Sequence, residues 1–381
     1  MNELQYSLVM LTSCGINQIV PNKQQLEGID LEKLYRFSKF HSLDALVGMT
    51  VKQAGAEISK SWQEKILKAV RKNILFDVER GKLLDFFEKN GIWYMPLKGI
   101  LIKDLYPAVG MRQMADNDIL FDDAFTKKVQ AYMESQGYTA DSVGKSNHDV
   151  YKKEPVYNFE LHRALYGKTH SRVWAEYYKN VKERLVLTEG TSFGYHFTEE
   201  DFYIYILTHE YKHYKISGTG LRSLVDVYVC LKAKEQILDF DYIQRECEKL
   251  GIAEFERQGR TLCKKVFGLS EWKTKEELEQ LLLPEERDML LYYLTSGVYG
   301  NSDQRIKNGV KEFQDKKKRF PKLGYLWNRL FPGADVYVFY MPQAEKHPWL
   351  LPIGCVKRLG SVIFGRKSNR IMQEVKKVRK V

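Results

Sequence analysis

Two aspartates in the stretch 96–121 are the residues whose types and spacing point most directly to chemistry. Asp116 and Asp118 precede the apolar run Ile119–Phe121, which favours a buried strand. Because side chains alternate along a strand, residues two apart share a face and lie about 7 Å apart. Two carboxylates at that spacing repel each other unless a cation lies between them, and Mg²⁺ prefers oxygen ligands of this kind. The pair therefore indicates a divalent-metal site.

A Lys-Gly turn upstream supplies a second element of the same site. The short apolar segment Ile92–Leu97 predicts a buried strand, which runs into Lys98 and Gly99 and then into a short amphipathic helix. A turn at a helix N-terminus can hold phosphate groups through backbone N–H groups, and Lys98 adds one positive charge. The alternative interpretation is an ordinary helix-entry turn with an exposed lysine.

The order of these motifs carries a family resemblance. The motifs are Leu97-Lys98-Gly99, Tyr106-Pro107, Arg112 and Asp116-Asn117-Asp118. Together they resemble the uncharacterised bacterial nucleotidyltransferase family, within the DNA-polymerase-β-like superfamily. That superfamily places a glycine-containing turn on a strand–helix unit, an acidic pair on the next strand and a third carboxylate on a later strand. Two departures are Asn117, where an aliphatic residue is usual, and a Lys-Gly turn in place of Gly-Ser.

The resemblance implies that Glu160 is the third carboxylate. In the stretch Val156–His162, alternation puts Glu160 and His162 on one strand face. The resemblance implies two metal ions. Asp116 and Asp118 would bind both of them, while Glu160 ligates the catalytic ion or acts as base for the attacking hydroxyl. His162 either positions substrate or is a structural histidine.

The function that the resemblance implies is transfer of a nucleoside monophosphate from an NTP to an acceptor hydroxyl, with release of pyrophosphate. Mg²⁺ is the expected cofactor, with Mn²⁺ as the alternative ion. Lys98, Gly99, Arg112 and His162 are predicted to contact the nucleotide, although Arg112 is also suited to a salt bridge with an aspartate. The acceptor stays open between a small molecule, a sugar, a protein side chain and an RNA end. A non-catalytic nucleotide- or partner-binding protein of the same fold is the first alternative, given Asn117 and the unusual turn.

A zinc hydrolase is the second alternative, because His209-Glu210-Tyr211-Lys212-His213 matches H-E-x-x-H. Histidines four residues apart share a helix face and can chelate Zn²⁺. Against this, Lys212 puts a cation between the histidines, and Ile216 stands where an extended zinc motif has glycine. The nucleotidyltransferase resemblance instead implies that His209, Lys212 and His213 face the nucleotide cleft, together with Leu221-Arg222 and Asp226 one helix later.

The periodicity of the chain predicts an α+β protein. A small polymerase-β-like mixed sheet is expected to be flanked by helical regions on both sides. The predicted division is 1–87 helical, 88–195 nucleotidyltransferase core, 196–325 helical domain, and 326–381 a proline- and aromatic-rich segment with a basic tail. A chain of 381 residues is long enough for several such units.

The net charge of +11 is concentrated near the C-terminus. Residues 301–381 contain 19 lysines and arginines against 6 aspartates and glutamates. Such a segment can contact an acidic partner, nucleic acid or an anionic membrane surface, or it can be a solvated basic helix. The five cysteines lack Cys-x-x-Cys spacing, which favours reduced thiols. With no apolar run near 18 residues and no signal peptide, we expect a cytoplasmic location.

Overall fold

The computed structural model describes residues 1–144, 146–167, 171–317, 319–331, 333, 336–337, 342–345, 347–363, 374 and 377–378. Its first quarter is helical, as the periodicity predicts. The helices are α1 (Glu3–Asn17), α2 (Leu31–Phe40), α3 (Asp44–Gln53) and α4 (Lys60–Lys89). At the N-termini of α1, α2 and α4 a polar side chain accepts a hydrogen bond from a backbone N–H group that the helix itself leaves unpaired; these side chains are Asn2, Asp30 and Ser59.

A five-stranded sheet follows. Its strands are β1 (Tyr94–Pro96), β2 (Asn117–Phe121), β3 (Thr139–Ser142), β4 (His148–Lys153) and β5 (Tyr157–His162). The spatial order is β1-β2-β5-β4-β3, in which β2 and β5 are parallel and all other pairs are antiparallel. The mixed sheet confirms the predicted fold class. Short helices α5 (Gly99–Ile102), α6 (Thr126–Ser135) and α7 (Arg172–Tyr177) and a two-stranded ribbon, β6 (Val186–Leu187) with β7 (Tyr195–His196), complete this part.

The rest of the described chain is helical. The helices are α8 (Glu199–Ser217), α9 (Leu221–Lys234), α10 (Phe240–Leu250), α11 (Ala253–Phe267), α12 (Lys275–Gln280), α13 (Pro284–Ser296), α14 (Ser302–Asp315), α15 (Pro321–Leu330) and α16 (Leu351–Ile363). Short 3₁₀ turns occur at Gln24–Leu26, Lys103–Leu105, Asp123–Phe125, Val181–Arg184, Pro342–Glu345 and Pro348–Leu350. Within the described part of the chain, no helix combines the length and the apolar character needed to cross a membrane.

The two faces of the sheet pack against different partners. Ile119 and Phe121 of β2 belong to a hydrophobic cluster with Phe159 of β5 and with side chains of α4 and α6. Leu120 belongs to a second, larger cluster formed mainly by helices. Because side chains alternate along a strand, Asp118 shares the face of Leu120 and points away from α4. The sheet therefore buries one face under α4 and α6 and leaves its polar face for the site.

The larger cluster joins helices from both ends of the chain. Asn17 at the end of α1 donates to the Phe267 carbonyl at the end of α11 at 2.6 Å, and Tyr228 of α9 donates to the Asn17 side chain at 2.9 Å. The predicted first and third regions thus share one hydrophobic core. The four-part division of the chain stays a prediction, and its boundary at 326 falls inside α15.

Part of the predicted basic tail packs on the preceding helices. Glu374 accepts two hydrogen bonds from Arg329 of α15, at 3.1 and 3.0 Å. Val378 lies in a small cluster with Ile306 and Val310 of α14. Much of the tail, including 364–373, lies outside the described residues, so its predicted contacts with an acidic partner, nucleic acid or a membrane surface stay predictions.

Candidate active site

Two of the three predicted carboxylates come from adjacent strands, and the third directly precedes one of them. Asp118 lies on β2 directly opposite Glu160 on the parallel strand β5. The sequence predicts both aspartates on one strand, whereas β2 begins at Asn117 and leaves Asp116 one residue before it. The segment before the strand is held by α4 instead of by a neighbouring strand, since Lys72 donates to the Ala115 carbonyl at 3.1 Å. Asp116 still interacts electrostatically with Asp118 and Glu160.

Asp118 is buried and already carries two hydrogen bonds on one oxygen. Lys98 Nζ lies 2.9 Å and His162 Nε2 lies 2.8 Å from Asp118 Oδ1. Burial alone would raise the pKa of Asp118, but Lys98 and the His162 hydrogen bond hold that pKa well below its usual range. Burial lowers the pKa of His162 to about 4, so the imidazole is neutral near pH 7. Because an ionised carboxylate only accepts, His162 Nε2 carries the proton of this bond.

The pKa values of the other two carboxylates, Asp116 and Glu160, are raised. Burial and the neighbouring Asp118 raise the pKa of Asp116 to about 6. Burial, Asp118 and Asp116 raise the pKa of Glu160 to about 7. Crowded, partly desolvated carboxylates repel one another, and a divalent cation placed among them relieves that repulsion. The donor set therefore fits a hard divalent ion.

Asn117, the unusual residue between the aspartates, faces away from them. Its Oδ1 accepts a hydrogen bond from Arg80 of α4 at 3.1 Å, and the side chain is fully buried on that side of the sheet. The replacement of an aliphatic residue by asparagine is thus matched by a polar partner on α4. The Asn117 side chain therefore adds no polar group to the cluster of carboxylates.

The Lys-Gly turn is strained and tightly packed. Lys98 has a φ of 48°, in the region that favours glycine, immediately before α5. A Cβ on Gly99 would lie 2.5 Å from Arg112 Nη1, so glycine is required for the arginine to approach. The turn brings the Lys98 ammonium to Asp118. Contact of Lys98 and Gly99 with a triphosphate stays a prediction.

Arg112 connects the sheet region to the helical region. Its Nε and Nη2 donate to the two carboxylate oxygens of Asp226 on α9 at 3.1 and 2.9 Å. Tyr106 donates to Asp226 Oδ1 at 2.7 Å. The salt-bridge interpretation of Arg112 is therefore what the structure shows, and its contact with nucleotide stays a prediction. Arg222, also on α9, lowers the pKa of Asp116 and so lies close enough to add positive charge.

Helix α8 contributes the predicted residues His209 and Lys212 to the carboxylate side. Burial and the nearby Lys98 hold the pKa of His209 well below its usual value. Burial and Lys98 lower the pKa of Lys212 to about 8, while Asp118 and Glu160 oppose that shift. His213 Nε2 lies 3.3 Å from His209 Nε2, one turn further along the helix. The spacing thus places both histidines on one helix face, as predicted.

Glu210 lies on the opposite side of α8. Its carboxyl accepts a hydrogen bond from Tyr293 of α13 at 2.5 Å and is buried in the helical core. In the H-E-x-x-H mechanism the glutamate acts as the base beside the zinc ion. Glu210 is not placed for that role, which is a structural reason against the zinc-hydrolase alternative.

His148 is a site residue that sequence reasoning missed. It pairs with His162 across β4 and β5, and its Nε2 lies 3.6 Å from Glu160 Oε2. Within the described residues, His148, Glu160 and His162 form the one group of three potential metal ligands whose ligand atoms all lie within 4.8 Å of one another. The predicted trio of Asp116, Asp118 and Glu160 does not form such a group. Because the pairing depends on the β4–β5 hairpin register, no local motif reveals His148.

Comparisons with known proteins gave a match to a protein-family model. No match to the chain was found among curated proteins or among solved structures. A family model described as "uncharacterised nucleotidyltransferase" matches residues 27–268, from α2 through α11. The match spans more than half of the chain and includes the turn, the three carboxylates and the α8 residues. The chain therefore belongs to the uncharacterised nucleotidyltransferase family.

Proposed function

We propose that this protein transfers a nucleoside monophosphate from an NTP to an acceptor hydroxyl and releases pyrophosphate, with Mg²⁺ as cofactor and Mn²⁺ as the alternative ion. Family membership supports nucleotidyl transfer in general. The observation that carries the finer proposal is the position of Asp118 opposite Glu160, with Asp116 beside them and Lys98 and Lys212 close by.

Asp116, Asp118 and Glu160 are the residues that would hold the metal. Burial and, after it, repulsion between the carboxylates raise the pKa values of Asp116 and Glu160, and a divalent ion would relieve that repulsion. When bound, Mg²⁺ would supply stabilisation of the charge on the attacking and leaving oxygens. The nucleotide phosphates are expected to provide further ligands, because Mg²⁺ sites rarely rest on protein oxygens alone.

The cationic side chains around the carboxylates would position the triphosphate. Lys98 already donates to Asp118, which fixes one positive charge at the edge of the site. Lys212 adds a second positive charge from α8, and His209, which is neutral near pH 7, lies one turn earlier on that helix. Preorganised donors of this kind stabilise charge that develops during phosphoryl chemistry without further rearrangement.

Glu160 is suited to accept the proton of the attacking hydroxyl. Burial and the neighbouring aspartates raise its pKa to about 7 in the absence of a cation, and a divalent ion among the carboxylates would favour the ionised form that accepts a proton. In the proposed step the acceptor oxygen bonds to the α-phosphorus, the bond from that phosphorus to the β-phosphate oxygen breaks, and pyrophosphate leaves. The hydroxyl proton passes to Glu160.

Two labelled nucleotides test the reaction. The protein is incubated with Mg²⁺, heat-treated cell extract as a source of acceptors, and NTP labelled on either the α- or the γ-phosphate. Transfer of the α-label with release of the γ-label in pyrophosphate is expected for the wild type and for Asp122→Asn, which makes the same substitution at the far end of β2. Transfer of the γ-label, or unchanged transfer in Asp118→Asn, would contradict the proposal.

A catalytically degenerate binding protein is the second candidate. The observation in its favour is that Asp118 Oδ1 is already bonded by Lys98 and His162, so this carboxylate has partners without a metal. For such a protein, Asp118→Asn leaves both the Mg²⁺ affinity and the nucleotide affinity unchanged. A loss of either affinity in that variant contradicts the degenerate interpretation.

A further inference from the structure

A cavity of about 470 Å³ opens between α7, α8, α14 and α15. Its volume is in the range of sites that hold small molecules. The lining side chains that carry the argument are Trp174, Lys212, Lys215, Arg305, Phe313 and Arg329. Glu312 is the one acidic side chain among the described lining residues, and its carboxylate pairs with Lys316.

The side chains of the cavity wall carry more positive than negative charge. Lys212 and Lys215 have no ion-pair partner among the residues that the structure describes. Glu374 accepts two hydrogen bonds from Arg329 and lies 3.5 Å from Arg305 Nη2, so one carboxylate serves two guanidinium groups. Arg305 Nε is buried with no hydrogen-bond partner in the described part of the chain. An uncommitted donor beside several cations is suited to an anion.

The cavity shares one side chain, Lys212, with the surroundings of the carboxylates. Along α8, His209 lies close to Lys98, Lys212 one turn later lies close to Asp118 and Glu160, and Lys215 on the following turn lines the cavity. An acceptor hydroxyl has to reach the nucleotide at the carboxylates, so its binding site must open beside them. Of the residues predicted to contact the nucleotide, Lys212 is part of the lining, whereas Lys98, Gly99, Arg112 and the three predicted histidines are not.

We propose that this cavity is the acceptor site and that the acceptor is a small phosphomonoester carrying a free hydroxyl group. The inference rests on the proposed nucleotidyl transfer and adds the chemical class of its second substrate. Arg305 and Lys215 bind the phosphate, and Trp174 and Phe313 cover the carbon skeleton of the acceptor.

Glycerol 3-phosphate, inorganic phosphate and uncharged glycerol are the probes, added to the full chain in thermal unfolding. Glycerol 3-phosphate and phosphate raise the melting temperature of the wild type, and glycerol at the same concentration does not. In Arg305→Gln the concentration needed for half the shift rises about tenfold, which corresponds to one hydrogen bond to a charged group. Lys215→Gln, at the exposed end of the wall, serves as a second variant if Arg305→Gln unfolds.

Lys311→Gln is the matched control, because Lys311 lies on the solvent side of the same helix, α14. An equal response of Arg305→Gln and Lys311→Gln overturns the proposal, as does the absence of any shift with either phosphate probe. Arg305→Gln must also keep the wild-type shift with Mg²⁺ and NTP; a parallel loss of that shift would make the cavity a nucleotide site. A wild type that responds to glycerol 3-phosphate but never to Mg²⁺ and NTP contradicts the transfer reaction and not the phosphate site.

Discussion

Asp118 and Glu160 lie opposite each other in the parallel pairing of β2 and β5. The two residues are more than forty positions apart in the sequence, yet the backbone hydrogen bonds between β2 and β5 fix their relative position. The opposite face of the same strands is buried under α4 and α6. Groups carried on a packed sheet are held more precisely than groups on loops. We therefore expect the carboxylates to tolerate changes in the surrounding loops but not changes in the sheet.

Two glycine-to-alanine substitutions should have opposite effects on stability. Gly99→Ala puts a Cβ 2.5 Å from Arg112 Nη1, and we expect a loss of about 1–3 kcal/mol in the free energy of unfolding. Gly81→Ala, in α4 with no atom near the new methyl group, should gain about 0.5–1 kcal/mol. Urea unfolding measures both. Equal effects would show that Arg112 does not constrain the turn.

The buried pair of Arg112 and Asp226 should be important for folding. Asp226→Ala leaves a buried guanidinium without its carboxylate, and we expect a loss of about 3–5 kcal/mol in urea unfolding. The control is Glu32→Gln, which removes an exposed pair with Arg36 and should change the stability by less than about 0.5 kcal/mol. Similar losses in the two variants would mean that the pair does not join the sheet to α9.

Asn117→Val tests whether the unusual residue between the aspartates affects binding. The Asn117 side chain faces Arg80 on α4, so we expect the Mg²⁺-dependent nucleotide affinity to change by less than about threefold. Asp118→Asn, one residue later on the other face, should abolish that affinity. Calorimetric titration compares the variants, and a large effect of Asn117→Val would show that this asparagine belongs to the site.

Glu210 should make the stability depend on pH. Burial raises its folded pKa to about 8, whereas the unfolded value is about 4.3. Between these values the folded state keeps a proton that the unfolded state has lost. Its contribution is therefore complete below about pH 4 and is lost as the pH rises toward 8. Relative to Glu210→Gln, the wild type should lose up to about 1.4 kcal/mol per pH unit in this window.

Unfolding of both proteins at several pH values measures this difference. The exposed Glu248→Gln is the control and should follow the wild-type curve. Parallel curves for the wild type and Glu210→Gln would mean that Glu210 is ionised in the folded protein. The hydrogen bond from Tyr293, which favours the ionised form, would then outweigh the effect of burial.

Local patterns in the sequence were sufficient to predict the strands that carry Asp118 and Glu160. The alternation in Val156–His162 predicted the face shared by Glu160 and His162, because it depends only on the pleat of a strand. The apolar run after Asp118 likewise predicted β2, although the strand starts one residue later than expected for Asp116. Such features are set within a few residues, so a single chain reveals them.

Features that depend on tertiary contacts were not predictable. The suitability of Arg112 for a salt bridge was evident, but its attachment to Asp226 depends on how α9 packs. The H-E-x-x-H spacing predicted the shared face of His209 and His213, yet only the position of Tyr293 shows where Glu210 lies. The approach of His148 to Glu160 follows from hairpin register, which no composition or periodicity specifies.

Thermal unfolding with ATP, GTP, CTP and UTP, each with and without Mg²⁺, tests the central claim that the carboxylates bind a metal–nucleotide complex. A ligand at about 100 times its Kd stabilises the folded state by about 2.7 kcal/mol. We expect a Mg²⁺-dependent rise in melting temperature with at least one nucleotide, present in the wild type and Asp122→Asn and absent in Asp118→Asn. A rise that survives in Asp118→Asn, or no rise with any nucleotide, would contradict the account.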